Sequence, residues 1–313
     1  MRRLGTIAGW GVMTFMLTGC GANLVKMTED FSFDAAWDGY ERCIVRTSNG
    51  HVTLVTDDRE DIHISGTKRA GGLTRDEARE NLAQLTIVAA ADESDPATFV
   101  IELQVPELLR RKSPGASFDI RVPASCAADI RTGNGAVQVR GLKDCDLKTS
   151  NGGITAEQID GRVEAHTSNG TVQAVFITGD LRVDTNNGRI IVDTIEGDCD
   201  LETSNGRIEV RKATGNLQAE TSNGRITAQV TPPPTGEVIL ETSNGSIMLE
   251  LPATLEGTLR LRTSNGRVET DFNSVTLTDP RWSKHFFEAQ LNEGGPGRFE
   301  VHTSNGSIVL RCR

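Results

Sequence analysis

Between Cys145 and Ala228 apolar and polar residues alternate in short bursts, and the bursts recur at a fixed spacing. Six and four residues before successive Asn-Gly pairs stand Cys145 and Leu147, Val163 and Ala165, Leu181 and Val183, Cys199 and Leu201, and Leu217 and Ala219. Three and five residues after each Asn stand Ile154 and Ala156, Val172 and Ala174, Ile190 and Val192, Ile208 and Val210, and Ile226 and Ala228. The interleaved positions are mostly charged or polar. A period of two predicts strands with one dry and one wet face. The asparagines at 151, 169, 187, 205 and 223 lie 18 residues apart, so each unit predicts two strands and two turns. Self-similarity at a fixed period marks a chain that coils and stacks on itself. The expected fold is all-β: a solenoid of two-strand coils.

Glycine falls every ninth residue from Gly152 to Gly224. Asn-Gly is expected to supply the positive φ of a tight reversal. Thr and Asn of the recurring Thr-Ser-Asn-Gly share the inward parity. Identical Asn side chains at the strand spacing can then bond from coil to coil in ladders. The corner positions are Asn151, Asn169, Asn187, Asn205, Asn223, Asn244, Asn265 and Asn305. Past Gly224 the extra residues, Thr231–Thr235, Ala253–Glu256 and an excursion over 271–296, all enter the half-coil that follows Asn-Gly. Insertions in a solenoid map to one face, often the binding one.

Upstream, Gly39 to Gly50 repeats the spacing of Gly141 to Gly152, with Cys43 where the later coil has Cys145. Leu73–Leu82 reads as a short helix whose Thr74 starts a capping box with Glu77. Strands are expected at 61–66, 84–91, 97–105 and 117–122. This segment predicts a β-rich cap over the open end of the stack, which would otherwise expose unpaired strand edges. The expected organisation is a signal segment over 1–19, a tether over 20–30, the cap and first coil over 31–125, and the repeats over 126–313.

Arg2 and Arg3, an apolar stretch from Leu4 to Met16, and Leu17-Thr18-Gly19-Cys20 have the layout of a secretory signal. The tetrapeptide resembles a bacterial lipobox, which implies cleavage before Cys20, lipidation of its sulfur and acylation of the new amino terminus, palmitate among the chains. Gly21 in place of Asp is similar to an outer-membrane sorting signal. No later stretch is long or apolar enough to span a bilayer. The net charge of −10 becomes more negative once Arg2 and Arg3 are removed. An acidic surface repels phosphate backbones, so no nucleic-acid partner is expected.

Five cysteines remain beside Cys20: Cys43, Cys126, Cys145, Cys199 and Cys312. Cys145 and Cys199 lie three coils apart, about 14 Å at the strand spacing, too far for a disulfide. They are expected as small core hydrophobes. A Cys43–Cys126 bridge is left open. Asp144-Cys145-Asp146 and Asp198-Cys199-Asp200 occur in two coils only, whereas a calcium roll needs acids in every turn. His51, His63, His166, His285 and His302 show no metal-ligand spacing. Neither metal nor cofactor is expected. No Ser-His-Asp, Cys-His or phosphate-loop pattern stands out. Sugar-cleaving β-helices need aromatic-lined grooves, yet Tyr40, Trp37 and Trp282 are the only Tyr and Trp after processing. The chain is therefore expected not to be an enzyme. Pro280–Phe287 is the one aromatic cluster in an insertion. Trp282, His285, Phe286 and Phe287 are either a hydrophobic end cap or a patch that docks a partner.

The order of elements, from Asp76–Arg79 through Phe118–Pro123 and the Asn-Gly coils to the closing Thr303–Ile308, resembles the DUF4097 family of bacterial β-strand-repeat proteins labelled adhesins. The resemblance covers nearly all of the processed chain. It implies a right-handed parallel β-helix and supplies no catalytic residues. The expected function is a lipid-anchored envelope scaffold or adhesin-like surface that meets the membrane through its lipid and binds a protein or an envelope glycan. A carbohydrate- or cell-wall-binding module acting through the variable edge is the alternative.

Overall fold

The structure, a computed structural model, describes residues 24–272 and 275–313. The signal segment, Cys20 and the first residues of the expected tether lie outside the described residues. The described chain forms two compact units that divide between Asn151 and Gly152.

The first unit holds β1 (Val25–Ala36), β2 (Arg42–Asn49), β3 (Val52–Asp57), β4 (Asp61–Gly72), α1 (Arg75–Ala83), β5 (Thr86–Ala91) and β6 (Thr98–Gln104). It continues with β7 (Gly115–Pro123), β8 (Ala127–Asn134), β9 (Val137–Arg140) and β10 (Cys145–Asn151). One sheet runs β1-β4-β7-β3-β9 and the other β10-β8-β2-β6-β5. Pairing is parallel among the coil strands, whereas β1, β4 and β7 pair antiparallel, as do β5 and β6. β1 corrects the sequence reading: residues 25–30, taken there as tether, begin a twelve-residue strand on β4. Glu29 interrupts the face formed by Val25, Met27, Phe31, Phe33 and Ala35, which weakens the period-2 signal over 25–30.

The second unit holds β11 (Ile154–Ile159), β12 (Val163–Asn169), β13 (Val172–Ile177), β14 (Leu181–Asn187), β15 (Ile190–Ile195), β16 (Cys199–Thr203), β17 (Ile208–Ala213) and β18 (Leu217–Asn223). After these come β19 (Ile226–Val230), β20 (Glu237–Asn244), β21 (Ile247–Leu251), β22 (Gly257–Thr263) and β23 (Val268–Asp271). The last are β24 (Leu277–Ser283), β25 (Phe286–Leu291), β26 (Gly297–Asn305) and β27 (Ile308–Cys312). Each coil places one strand in each of two parallel sheets. Ile190 stands opposite Val172 on one side and Ile208 on the other. Ile190, Ile208 and Ile226 are fully buried, as are the apolar inward positions of the coils from β11 to β21. Each such side chain contributes about 2–3 kcal/mol relative to exposure. The fold is a parallel β-solenoid.

The coils do not stack in chain order. One sheet ends β19-β21-β27-β23 and the other β18-β20-β26-β22-β25-β24. The last coil in sequence, β26 and β27, thus fills a slot between β20/β21 and β22/β23. The excursion after β23 folds as the hairpin β24–β25, which pairs antiparallel with β22. Sequence order therefore does not fix spatial order at this end of the stack.

Two expectations about the corners are corrected. The asparagines of the motif are exposed, and only the threonines point inward: Thr167, Thr185, Thr203 and Thr221 are buried to 1% exposure or less. The chain turns at Asn-Gly, which breaks the alternation before the Asn. Nor does Asn-Gly carry the left-handed residue. That residue lies at the opposite corner, in the column Gln158, Phe176, Thr194 and Lys212, with φ of 55, 57, 61 and 53°. The Asn-Gly glycines are required by close approach instead. A Cβ on Gly206 would lie 1.8 Å from the Gly188 carbonyl oxygen, and one on Gly224 1.7 Å from that of Gly206.

Candidate functional site

Three longitudinal arrays organise the surface of the coils. In the second unit Asn187 Nδ2 donates to Oδ1 of Asn169 at 3.0 Å, Asn205 to Asn187 at 3.0 Å, Asn223 to Asn205 at 2.9 Å and Asn244 to Asn223 at 2.9 Å. The array then follows the spatial order: Asn305 donates to Asn244, and Asn265 to Asn305, each at 2.9 Å. In the first unit Asn134 donates to Asn49 and Asn151 to Asn134. Each interior amide gives a proton to one neighbouring Asn and accepts one from the other, so the interior members share one orientation.

Behind it runs a threonine array. Thr167 Oγ1 donates to the Gly152 carbonyl at 3.0 Å, Thr203 to Gly188 at 3.2 Å, Thr221 to Gly206 at 3.1 Å and Thr303 to Gly245 at 2.9 Å. At the opposite corner Asp180 Oδ1 accepts the backbone N–H of Asp198, Asp198 that of Asn216, and Asn216 that of Glu237. The acids around Cys199 are therefore engaged: Asp198 caps the next coil and Asp200 lies 3.1 Å from Arg182. Among the described residues no three His, Cys, Asp or Glu side chains converge as a metal would need.

All five described cysteines are free thiols, so the open question of a Cys43–Cys126 bridge is answered by two thiols. Burial, then repulsion from Cys126, pushes Cys43 well above the ordinary thiol range. Burial raises Cys126 and Cys199 to about 12, and half-buried Cys312 to about 11.

The aromatic patch is divided by the hairpin. Phe287 is buried and its ring stacks on Phe272 with centroids 5.1 Å apart. Phe286 and His285 are half-buried, and His285 Nδ1 has no hydrogen-bond partner. Trp282 is 80% exposed. It walls a shallow recess of about 320 Å³ with Val268, Phe272, Leu277, Pro280 and Phe286. Pro280 on the edge strand, together with Asp279 at φ 51° and a bulge between Thr278 and Arg281, blunts further pairing there.

Sequence reasoning missed one polar constellation. Pairing of β1 with β4 sets Asp34 opposite His63. His63 Nδ1 is 2.7 Å from Asp34 Oδ1, and Nε2 is 3.4 Å from Ser32 Oγ. The order of atoms matches a Ser-His-Asp relay. Its setting does not: the bonds lie on an exposed sheet face, and Arg59 also holds Asp34 at 3.3 Å. Transition-state stabilisation of acyl transfer depends on a water-excluded pocket. Only the pairing of β1 with β4 brings these residues together, because Ser32 and Asp34 are 31 and 29 residues from His63.

Among the described residues no helix is long and apolar enough to cross a membrane. No curated protein matches the chain. Two solved structures are similar over most of their length. A proposed cell-adhesion protein from Clostridium sporogenes is 10% identical, covering 91% of this chain and 100% of its own, at a TM-score of 0.24. A proposed adhesin from Bacteroides fragilis is 12% identical, covering 90% and 96%, at 0.29. At those scores neither bears on function. The family profile described as Toastrack DUF4097 matches residues 40–311, which spans both units and every coil, and the chain belongs to that family.

Proposed function

We propose that this chain is a lipid-anchored envelope protein whose solenoid is a rigid, non-catalytic adhesive surface, with its contact at the hairpin around Trp282. Trp282 carries the reading: a large aromatic left 80% exposed beside an apolar recess has no packing role of its own. Anchoring is supported by the Leu17–Cys20 motif, and outer-membrane placement by Gly21. The arrays of Asn, Thr and Asp support a structural rather than catalytic use of the repeated polar residues. An exposed Trp is also a platform on which a sugar ring stacks, so envelope glycan is the second reading.

A photo-crosslinking residue at 282 in intact cells separates the two. Crosslinks to one protein species support adhesion through protein; binding of the purified chain to cell-wall glycan, lost in Trp282→Ala, supports the second. If neither result is obtained at position 282, the hairpin is not the contact surface. The non-catalytic reading is tested at Ser32, where covalent labelling by a fluorophosphonate would overturn it.

A further inference from the structure

We infer that the end of the first unit where Leu24, Gly71 and Lys112 meet docks on a bilayer surface carrying anionic headgroups. The inference rests on the proposed anchoring at Cys20 for how that end is brought to the membrane. Three segments converge there. Leu24 lies against Gly71, whose N–H donates to the Lys112 carbonyl at 2.8 Å. Lys112 Nζ in turn reaches Glu77 Oε1 at 2.7 Å, in the first turn of α1. Leu24 follows Cys20 by only four positions in sequence. Fully extended, they span about 14 Å at most. A lipid on Cys20 would therefore hold this end within that distance of the bilayer.

The side chains suit such a surface. Leu108 is 90% exposed and Leu73 65%, two of the four large apolar side chains left exposed among the described residues. Neither is loose. Leu109, next to Leu108, is buried with Met27, Ala78 and Leu82. The Leu73 N–H donates to Glu77 Oε2 at 2.6 Å. Lys26, Arg75, Arg79, Arg110 and Arg111 are exposed around them. Of the nearby acids, Glu77 is held by Lys112 and Asp76 lies 3.7 Å from Arg79. Over 69–80 and 106–112 six basic side chains face four acidic ones, in a chain of net charge −10. Exposed leucines beside cations match an interfacial site, the leucines entering the acyl boundary and the cations meeting phosphate. An acidic chain that concentrates base at the end nearest its anchor removes the repulsion that the rest of its surface would feel.

The test uses the full chain purified from membranes and reconstituted in phosphatidylcholine vesicles with or without phosphatidylglycerol. Amide hydrogen exchange is followed over 72–80 and 106–112, and the mass of the amino-terminal peptide reports acylation. Exchange is expected to slow roughly tenfold on the anionic vesicles alone, and to return to the detergent value in Arg110→Glu/Arg111→Glu and in Leu108→Ser. All three residues are exposed, and circular dichroism checks that the variants fold. An acylated protein with unchanged exchange overturns docking and leaves anchoring intact. Slowing without acylation defeats the anchor and leaves docking. Equal protection in detergent or neutral lipid assigns the surface to another occupant and overturns the inference.

Discussion

Thr203 gives its hydroxyl proton to the carbonyl oxygen of Gly188, 3.2 Å away in the adjacent coil, whereas buried Thr185 gives its own to nothing. The two threonines occupy equivalent positions in neighbouring coils, paired directly with each other. Replacing a satisfied hydroxyl by methyl strands the carbonyl; replacing an unsatisfied one relieves a desolvated donor. Thr203→Val is expected to cost about 1 kcal/mol, and Thr185→Val to be neutral or stabilising. Chemical denaturation of the two variants checks the difference; equal losses would mean that Thr185 is satisfied in solution.

Gly206 and Phe176 make opposite demands on the backbone. Gly206→Ala places a methyl 1.8 Å from the Gly188 carbonyl oxygen, so the coils must part and the loss is expected to exceed about 3 kcal/mol. Phe176→Gly removes an exposed ring from a left-handed residue and is expected to gain about 1 kcal/mol. Melting temperatures of both variants give the signs.

The asparagine array is directional, each amide donating to the next oxygen. Asn205→Asp removes the donor to Asn187 and sets a carboxylate against that oxygen, while still accepting from Asn223. A loss of about 1–2 kcal/mol above neutral pH is expected, smaller at acidic pH where the carboxyl can donate. Stability measured at two pH values would reveal the dependence, and a pH-independent loss would argue against the directional array.

Thiol chemistry should be silent in the folded protein. Burial holds Cys126 and Cys199 at about 12, and Cys43 and Cys145 are raised in the same direction by the same cause. At pH 8 these four are expected to ignore an aromatic disulfide reagent until denaturant is added, then to titrate together with Cys312. Fewer than five thiols under denaturing, non-reducing conditions would contradict the free state of the chain.

Helix α1 should loosen in acid. The side-chain bond from Lys112, then the backbone N–H of Leu73, hold the Glu77 carboxyl below the ordinary carboxylate range. A depressed folded pKa contributes stability above the unfolded value and loses it as pH falls through the folded one. Protection factors of the α1 amides, which remove the intrinsic pH dependence of exchange, are therefore expected to fall below about pH 4.3, where unfolded Glu begins to protonate. Glu77→Gln should show the fast exchange already at neutral pH; unchanged exchange would exclude this link.

The coils were legible because eighteen-residue spacing and strict alternation determine which side chains are inside, as at Ile190, Ile208 and Ile226. The helix start at Thr74 was legible for a similar reason: Thr74 Oγ1 accepts from the Glu77 N–H, as the capping signature requires. The corners were less so. A corner ends the alternation, so Asn205 could not be assigned outward from parity, and the left-handed column at Phe176 has no residue signature. The hydrogen bonds of His63 to Ser32 and Asp34 were invisible, because they depend on the register of β1. Nothing in the sequence separates the exposed Leu73 and Leu108 from apolar residues that pack, because their exposure depends on which face the fold leaves open.

Placing β26 and β27 between coils that precede them in sequence makes this segment a keystone. Until the segment ending at Arg313 is available, β20 and β22 each present an open edge to an empty gap, and the hairpin at Trp282 is joined to a coil not yet locked in place. Completion of this end therefore waits on a segment that follows in sequence both of the coils it separates, and a cut within β26 or β27 would strike the interior of the stack.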